Sequence, residues 1–249
     1  MKRQVDICVL SDVHLGHPAC QADKLVQYME GIAPNVLILN GDFIDRSRTH
    51  DPVLTQEAYA VFEQILHLAG RGTKIYYISG QQDQFFRKLA NRPFLNIHLR
   101  NKLILQLQGK KHLFFHGDIL SLPNWVHILL RHQGSKGFDR RIQLQLWGEW
   151  LQRWRPTMKH RQTTPDLFRE RALQIASEMD CDRVICGHCH APEMLRQGDI
   201  TYLNAGDWLH HCTALEFQWG QWSLFVHEAL TDPIPQASEQ AQPRGNASR

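Results

Sequence analysis

Five short groups of residues carry the chemistry open to this chain. They are Asp12-Val13-His14, Gly41-Asp42-Phe43-Ile44-Asp45, Gly80-Gln81-Gln82-Asp83, His116-Gly117-Asp118 and Gly187-His188-Cys189-His190. Carboxylates and imidazoles are ligands for Mn, Fe and Zn class ions, and two such ions side by side can clamp both oxygens of an in-line displacement at phosphorus. Taken singly, each group has a plainer explanation, because Asp and Gly dominate turns and paired histidines can simply flank a strand. Five such groups, all built from His, Asp or amide side chains at the ends of predicted strands, point to a metal site.

The elements that must position these groups are legible as apolar runs. Strands are expected at Val5–Leu10, Val36–Leu39, Lys74–Ile78, His112–Phe115, Arg183–Cys186, Ile200–Leu203 and Thr213–Phe217. Ala58, Val61, Phe62, Ile65, Leu66 and Ala69 recur at helical spacing after a cap near Thr55, and Gly70 stands where a C-terminal cap belongs. Strand–helix–strand alternation builds a mostly parallel sheet with helices packed on it. The late strands have no helix between them and are expected to form an antiparallel set in a second sheet. The fold class is therefore α/β, a two-sheet sandwich flanked by helices, in one domain over residues 1–231.

Composition narrows the class of protein. With 249 residues, 43% apolar and 21% charged, the chain can bury one large core. The N-terminal apolar run is too short for a signal peptide and no run reaches the roughly 18 residues of a membrane span, so a cytoplasmic protein is expected. The six cysteines are read as reduced thiols. Cys186 and Cys189 form a single C-x-x-C with no second pair to complete a zinc site.

The stretch at about 122–165 differs in kind. Trp147, Trp150, Leu151 and Trp154 fall at i, i+3, i+4 and i+7, and from Pro123 to Arg171 ten Lys or Arg face four acids, a local net charge of +6 against +3 for the whole chain. A basic, Trp-rich helical insertion is expected. The helix after it should start at Pro165 with Thr164 as cap and place Phe168, Ala172, Ile175 and Met179 on one face. Residues 232–249, rich in Pro, Gln, Ser and Ala, read as a disordered tail.

The ordered set of groups resembles the calcineurin-like metallophosphoesterases, whose pattern is D-x-H, G-D-x-x-D, G-N-H-D, a histidine in G-H or H-G-D form, and G-H-x-H. The resemblance implies two divalent ions, Mn first and Fe or Zn as alternatives. Asp12, His14 and His190 would hold one, His116, His188 and Gln81 the other, and Asp42 would bridge them. Asp42, Gln82 and Asp83 fall at its catalytic positions. The family's G-N-H-D is G-Q-Q-D here: Gln81 keeps an amide oxygen one methylene further out, whereas Gln82 cannot serve as a proton donor in place of His.

A narrower resemblance is to the UDP-2,3-diacylglucosamine diphosphatases of lipid A biosynthesis. It rests on S-D-V-H-L-G at Ser11–Gly16, L-N-G-D-F-I-D at Leu39–Asp45, H-G-D at His116–Asp118, the insertion after it, and N-A-G-D-W at Asn204–Trp208; Ser121 departs from the acid common at that position. It implies hydrolysis of a nucleotide-lipid pyrophosphate to UMP and a lipid phosphate. Gln82, Trp125, Arg140, Arg141, Trp147, Trp150 and Trp154 would contact substrate, with Leu129, Leu130 and Leu151 lining the same apolar groove, and the basic face would meet the cytoplasmic side of the inner membrane peripherally. A phosphodiesterase or phosphatase for another substrate, and a metal-binding homologue with little catalysis, are the alternatives; nucleic acid is the less favoured partner.

Overall fold

The computed structural model of the chain describes residues 2–45, 55–82, 93–94, 96–154 and 163–227. Asp83 and the segment 232–249 lie outside the described residues, as do the side chains of Trp150, Leu151 and Trp154.

The chain runs β1 (Arg3–Leu10), α1 (Ala22–Gly31), β2 (Ile32–Asn40), α2 (Gln56–Gly70), β3 (Lys74–Ile78), β4 (Pro93–Phe94), β5 (Ile97–Arg100), β6 (Leu103–Leu107) and β7 (Lys110–Phe114). There follow α3 (Asn124–Leu129), α4 (Gly134–Trp154), α5 (Pro165–Glu178), β8 (Arg183–Cys186), β9 (Glu193–Gln197), β10 (Ile200–Asn204), β11 (Thr213–Gln218) and β12 (Gln221–Val226). One sheet has seven strands in the order β12-β11-β1-β2-β3-β5-β4 and the other five in the order β6-β7-β8-β10-β9.

Side-chain alternation with period two makes this a sandwich. Ile7, Val9, Ile38, Tyr76, Ile78, Phe114, Ile185, Leu203, Leu215 and Phe217 form the cluster between the sheets. Their neighbours Cys8, Leu10, Leu37, Leu39, Ile75, Tyr77 and Ala214 face the other way, against Leu25, Met29, Val61, Ile65 and Leu68 of α1 and α2. Leu113, Phe115, Val184, Cys186 and Tyr202 pack on Phe168, Ala172 and Ile175 of α5. Central strands are thus buried on both faces, which is why they read as continuous apolar runs.

Helix ends follow local chemistry. Thr55 accepts from the Ala58 N–H at the start of α2, and Thr164 accepts from the Leu167 N–H ahead of Pro165 in α5. α2 ends at Gly70, where the spacing placed its end, but the capping residue is Arg71 and the left-handed turn falls on Gly72, at φ 96°. The late strands also divide differently from expectation. β9 and β10 are antiparallel in the second sheet, but β11 and β12 join the first, β11 lying antiparallel beside β1. Its residues Thr213–Phe217 are all buried, so the strand needs a neighbour and cover on both faces, which the place next to β1 provides. β8 and β10 are parallel with only the β9 strand between them.

The stretch after the His116 group is helical, as α3 and α4, and its inner face belongs to the core: Val126, Leu130, Phe138 and Ile142 sit in the cluster beneath α5. Leu130 therefore does not line an open groove. Trp125, Leu129 and Trp147 are the exposed members, at 63%, 63% and 71%. Among the described residues no helix is long and apolar enough to cross a membrane.

Candidate metal centre

Parallel strands bring their C-terminal ends to one edge of the sandwich, and each chemical group follows such an end: Asp12 after β1, Asp42 after β2, Gly80 after β3, His116 after β7, His188 and His190 after β8, and Asp207 after β10. The two sheets meet here. Asp12 N–H donates to Gly41 O at 3.1 Å and His14 N–H to Asp42 O at 3.0 Å, while Gly187 N–H donates to His116 O at 2.9 Å. Trp208 N–H closes the edge by donating to Asp12 O at 3.1 Å.

The backbone at these ends is strained. Asp12, His14, Asp42, His188 and His190 all have φ between 49° and 66°, in the left-handed region that L side chains avoid at a cost of about 1–2 kcal/mol each. Such a conformation turns the chain sharply after a strand and throws the next side chains onto one spot. The glycines give the room. A methyl at Gly41 would overlap the His116 ring, and one at Gly187 would overlap Ser11 Oγ and Asp12 Oδ2.

Two clusters result. One ligand atom from each of Asp12, His14 and His190 lies within 4.8 Å of the other two, and the same holds for Asp42, His116 and His188. Asp42 stands between them, with Oδ2 3.4 Å from His116 Nε2 and 4.0 Å from His14 Nε2. Asp12 Oδ1 is 3.3 Å from His190 Nε2 and 3.8 Å from His14 Nε2. The other oxygens are already engaged: Asp12 Oδ2 accepts from Ser11 Oγ at 2.6 Å and His188 N–H at 2.8 Å, and Asp42 Oδ1 accepts from Gln82 N–H at 2.8 Å.

Atoms facing inward lack hydrogen bonds. Asp12 Oδ1, His14 Nε2 and His116 Nε2 are buried with no hydrogen-bond partner among the described residues. Leaving such groups unpaired costs about 1–3 kcal/mol each, so their convergence on one spot makes them candidate donors to a bound ion. Divalent cations bound by carboxylate oxygen and imidazole nitrogen fit this donor set.

Electrostatics agree in direction. Burial alone would raise the Asp12 and Asp42 carboxyls, but His116 and the neighbouring histidines hold both below the usual carboxylate range. His116 is raised against its burial by Asp42 and Asp12, whereas His188 is lowered, by burial first and then by His116. These are the shifts of a compact anion–imidazole cluster, and a cation would replace the imidazole protons as the balancing charge.

Of the residues singled out from the sequence, Asp12, His14, Asp42, His116, His188 and His190 are brought together. Gln81 lies partly buried in the turn after β3. Gln82 meets Asp42 through its backbone N–H. Arg141 does not belong to the site: it is fully buried and bonded to Glu178 at 3.0 and 3.4 Å, because its position on α4 faces α5 and the core. Arg140 beside it is exposed and donates to Gln133. Behind three of these histidines stand residues that the sequence did not mark as site residues. His116 Nδ1 lies 2.9 Å from Asn40 O, His190 Nδ1 3.1 Å from Asp207, and His188 Nε2 3.3 Å from Ser121 Oγ. Asn40 and Asp207 sit inside the L-N-G-D and N-A-G-D-W segments, so their positions next to strand ends were the available signal.

The chain belongs to the calcineurin-like phosphoesterase superfamily, whose domain model matches residues 5–218. Membership implies divalent metal ions. More narrowly, the chain is similar to proteins named UDP-2,3-diacylglucosamine hydrolase: 26% identical to that of Histophilus somni, over 83% of this chain and 94% of the relative, and 25% identical to that of Neisseria meningitidis serogroup C, over 87% and 95%. Among solved structures it is similar to a novel archaeal phosphodiesterase, at 13% identity and a TM-score of 0.43, over 88% of this chain and 98% of that one.

Proposed function

We propose that this protein is a two-metal phosphohydrolase that cleaves the pyrophosphate of UDP-2,3-diacylglucosamine or a similar nucleotide-linked lipid, releasing UMP and a lipid phosphate. Asp12, His14 and His190 would hold one ion, His116, His188 and Gln81 the other, and Asp42 both; Mn²⁺ is the first choice for an oxygen- and imidazole-rich set. Bound there, the ions supply charge neutralisation on the phosphoryl oxygens and a water of lowered pKa.

The observation that carries the reading is Asp42. Its Oδ2 faces histidines of both clusters while its Oδ1 is fixed by the Gln82 N–H, which suits a carboxylate shared between two ions. The amide of Gln82 has no acidic proton to give a leaving group. That favours an anhydride, whose nucleoside-phosphate product leaves as a weak base, over an alkyl phosphoester that needs protonation. The exposed Trp125, Leu129 and Trp147, with Arg140 and the Trp150 and Trp154 positions further along α4, are suited to acyl chains and to peripheral contact with an anionic membrane surface at its cytoplasmic face.

The test is UMP release from UDP-2,3-diacylglucosamine by the Mn²⁺-loaded protein, with Asp42→Asn as control. No UMP from a protein that binds two Mn²⁺ overturns the substrate; turnover of aryl phosphodiesters instead would favour a phosphodiesterase. The two glutamines in place of the family's Asn and His also favour a weakly catalytic metal-binding homologue. In that case Gln81→Asn with Gln82→His would raise turnover by orders of magnitude.

A further inference from the structure

The end of the sandwich away from the metal clusters is open. Two tight turns meet there: Gln108-Gly109 joins β6 to β7, and Trp219-Gly220 joins β11 to β12. All four residues have φ between 49° and 83°, the pattern of the two-residue hairpin turn that favours Asn-Gly. The turns touch, since a Cβ on Gly220 would overlap the Gln108 amide. Beside them lies a cavity of about 560 Å³, the size of a small-molecule site. Ile7, Val36, Tyr76, Leu105, Leu107 and Phe217 form its apolar wall. Trp219 lines it too and is 87% exposed. A bulky side chain in the left-handed region is strained, and an indole left in water gains nothing from burial, so neither the turn nor the core accounts for a Trp at this position.

The rest of the lining is polar. Lys74 Nζ lies 5.1 Å from the centre of the Tyr76 ring and has no ion pair among the described residues. Its charge is felt nearby: His98, whose ring centre is 5.4 Å from that of Tyr76, is held below its ordinary value by burial first and then by Lys74 and Arg100. Asp6 and the exposed Gln106 and Gln108 complete the wall. Each group matches one part of a nucleotide. A base stacks on indole and phenol faces. Side-chain amides and a carboxylate pair with a base edge or with ribose hydroxyls, and an ammonium meets a phosphate. A purely apolar ligand would leave Lys74 and Asp6 without a role, and a bare phosphate would leave the aromatic wall without one.

We infer that the open end of the sandwich is a binding site for a free nucleoside monophosphate, its base stacked on Trp219 and its phosphate at Lys74. The site is separate from the metal clusters. It is built on the first residue of β3 and on the turns that follow β6 and β11, whereas the candidate ligands follow the C-terminal ends of β1, β2, β7 and β8. It does not depend on those clusters holding ions.

Trp219→Asn is the discriminating variant, because Asn ahead of Gly suits this turn. The full-length protein, as purified and again after chelator treatment, is titrated by calorimetry with UMP, AMP and their nucleosides. UMP or AMP should bind one-to-one in both preparations. Trp219→Asn should weaken that binding by about tenfold or more, with a melting temperature equal to or above that of wild type. Lys74→Met should weaken the monophosphate by about three- to fivefold and leave its nucleoside unchanged. Should Trp219→Asn fail to fold, the Lys74→Met comparison decides the matter. No binding after chelation, binding untouched in a folded Trp219→Asn, or a nucleoside that loses as much as its monophosphate in Lys74→Met each overturn the inference. So does a pentauridylate that binds more tightly than UMP, which would mark a surface for nucleic-acid strands. Binding that chelation abolishes and Trp219→Asn leaves intact puts the nucleotide at the metal clusters, which overturns this inference while supporting the proposed function.

Discussion

Replacing Arg141 by methionine separates a substrate contact from a structural ion pair. Arg141 and Glu178 have side chains 0% and 4% exposed and share two hydrogen bonds, at 3.0 and 3.4 Å, with Gln174 Nε2 adding a third to Glu178 at 2.9 Å. Arg141→Met leaves the Glu178 carboxylate in the α4–α5 interface with one neutral donor. Breaking a buried pair on one side costs about 3–5 kcal/mol. At about 2–4 °C per kcal/mol for a domain of this size, the melting temperature should fall by roughly 6–20 °C. The double variant Arg141→Met with Glu178→Leu removes both charges and should recover most of the loss. Circular-dichroism melts and urea midpoints measure the stability, and activity at a temperature where all variants are folded should keep its KM. Arg140→Met, altering an exposed side chain, should leave the melt unchanged. An Arg141→Met protein that melts within about 2 °C of wild type but has a raised KM would refute the structural assignment and return Arg141 to the substrate.

Other outcomes follow from the same geometry. Saturating Mn²⁺ at about 100 times its Kd should stabilise the protein by about 2.7 kcal/mol per site, seen as a chelator-reversible rise in melting temperature; no rise would argue against either cluster holding an ion. Gly187→Ala should displace Asp12, destabilising the fold by about 1–3 kcal/mol and lowering metal affinity together, since its methyl would overlap the Asp12 carboxylate. Burial, and secondarily neighbouring arginines, push His112 and His127 down to about 4, below their unfolded value of about 6.5. Their contribution to stability is therefore complete above about pH 6.5 and lost as the pH falls toward 4, and Gln at either position should flatten that part of the melting profile. Trp125→Ser with Leu129→Ser should leave stability unchanged, because both side chains are exposed, and weaken binding to anionic vesicles if the surface meets a membrane.

Much of the fold was legible because the central strands are buried on both faces and so appear as uninterrupted apolar runs. Lys74–Ile78 and Arg183–Cys186 have the bounds read from sequence, and Thr55 and Thr164 cap the helices they were expected to cap. Less legible were elements whose signal is shared with something else. α1 carries Leu25, Tyr28 and Met29 at helical spacing within a polar segment. β11 looks the same whichever sheet it joins. Arg141 and Arg140 are adjacent and chemically identical, and only the rotation of α4 sends one into the core and the other to solvent.

The sequence by itself supplied the candidate donors, because Asp, His and Gly recur directly after strands and a strand's end is fixed by where its apolar run stops. Tertiary structure alone decided how those donors divide. The pairing of β1 with β2 and of β7 with β8, and the meeting of the two sheets at one edge, put Asp42 between His14 and His116 across more than a hundred residues of chain. The same closure set Asp207 behind His190 and Ser121 behind His188, contacts between segments far apart in the chain that no local pattern encodes. Local residue types specify what a site can bind; the register of distant strands specifies which groups share a ligand, and that depends on the packing of the whole sandwich.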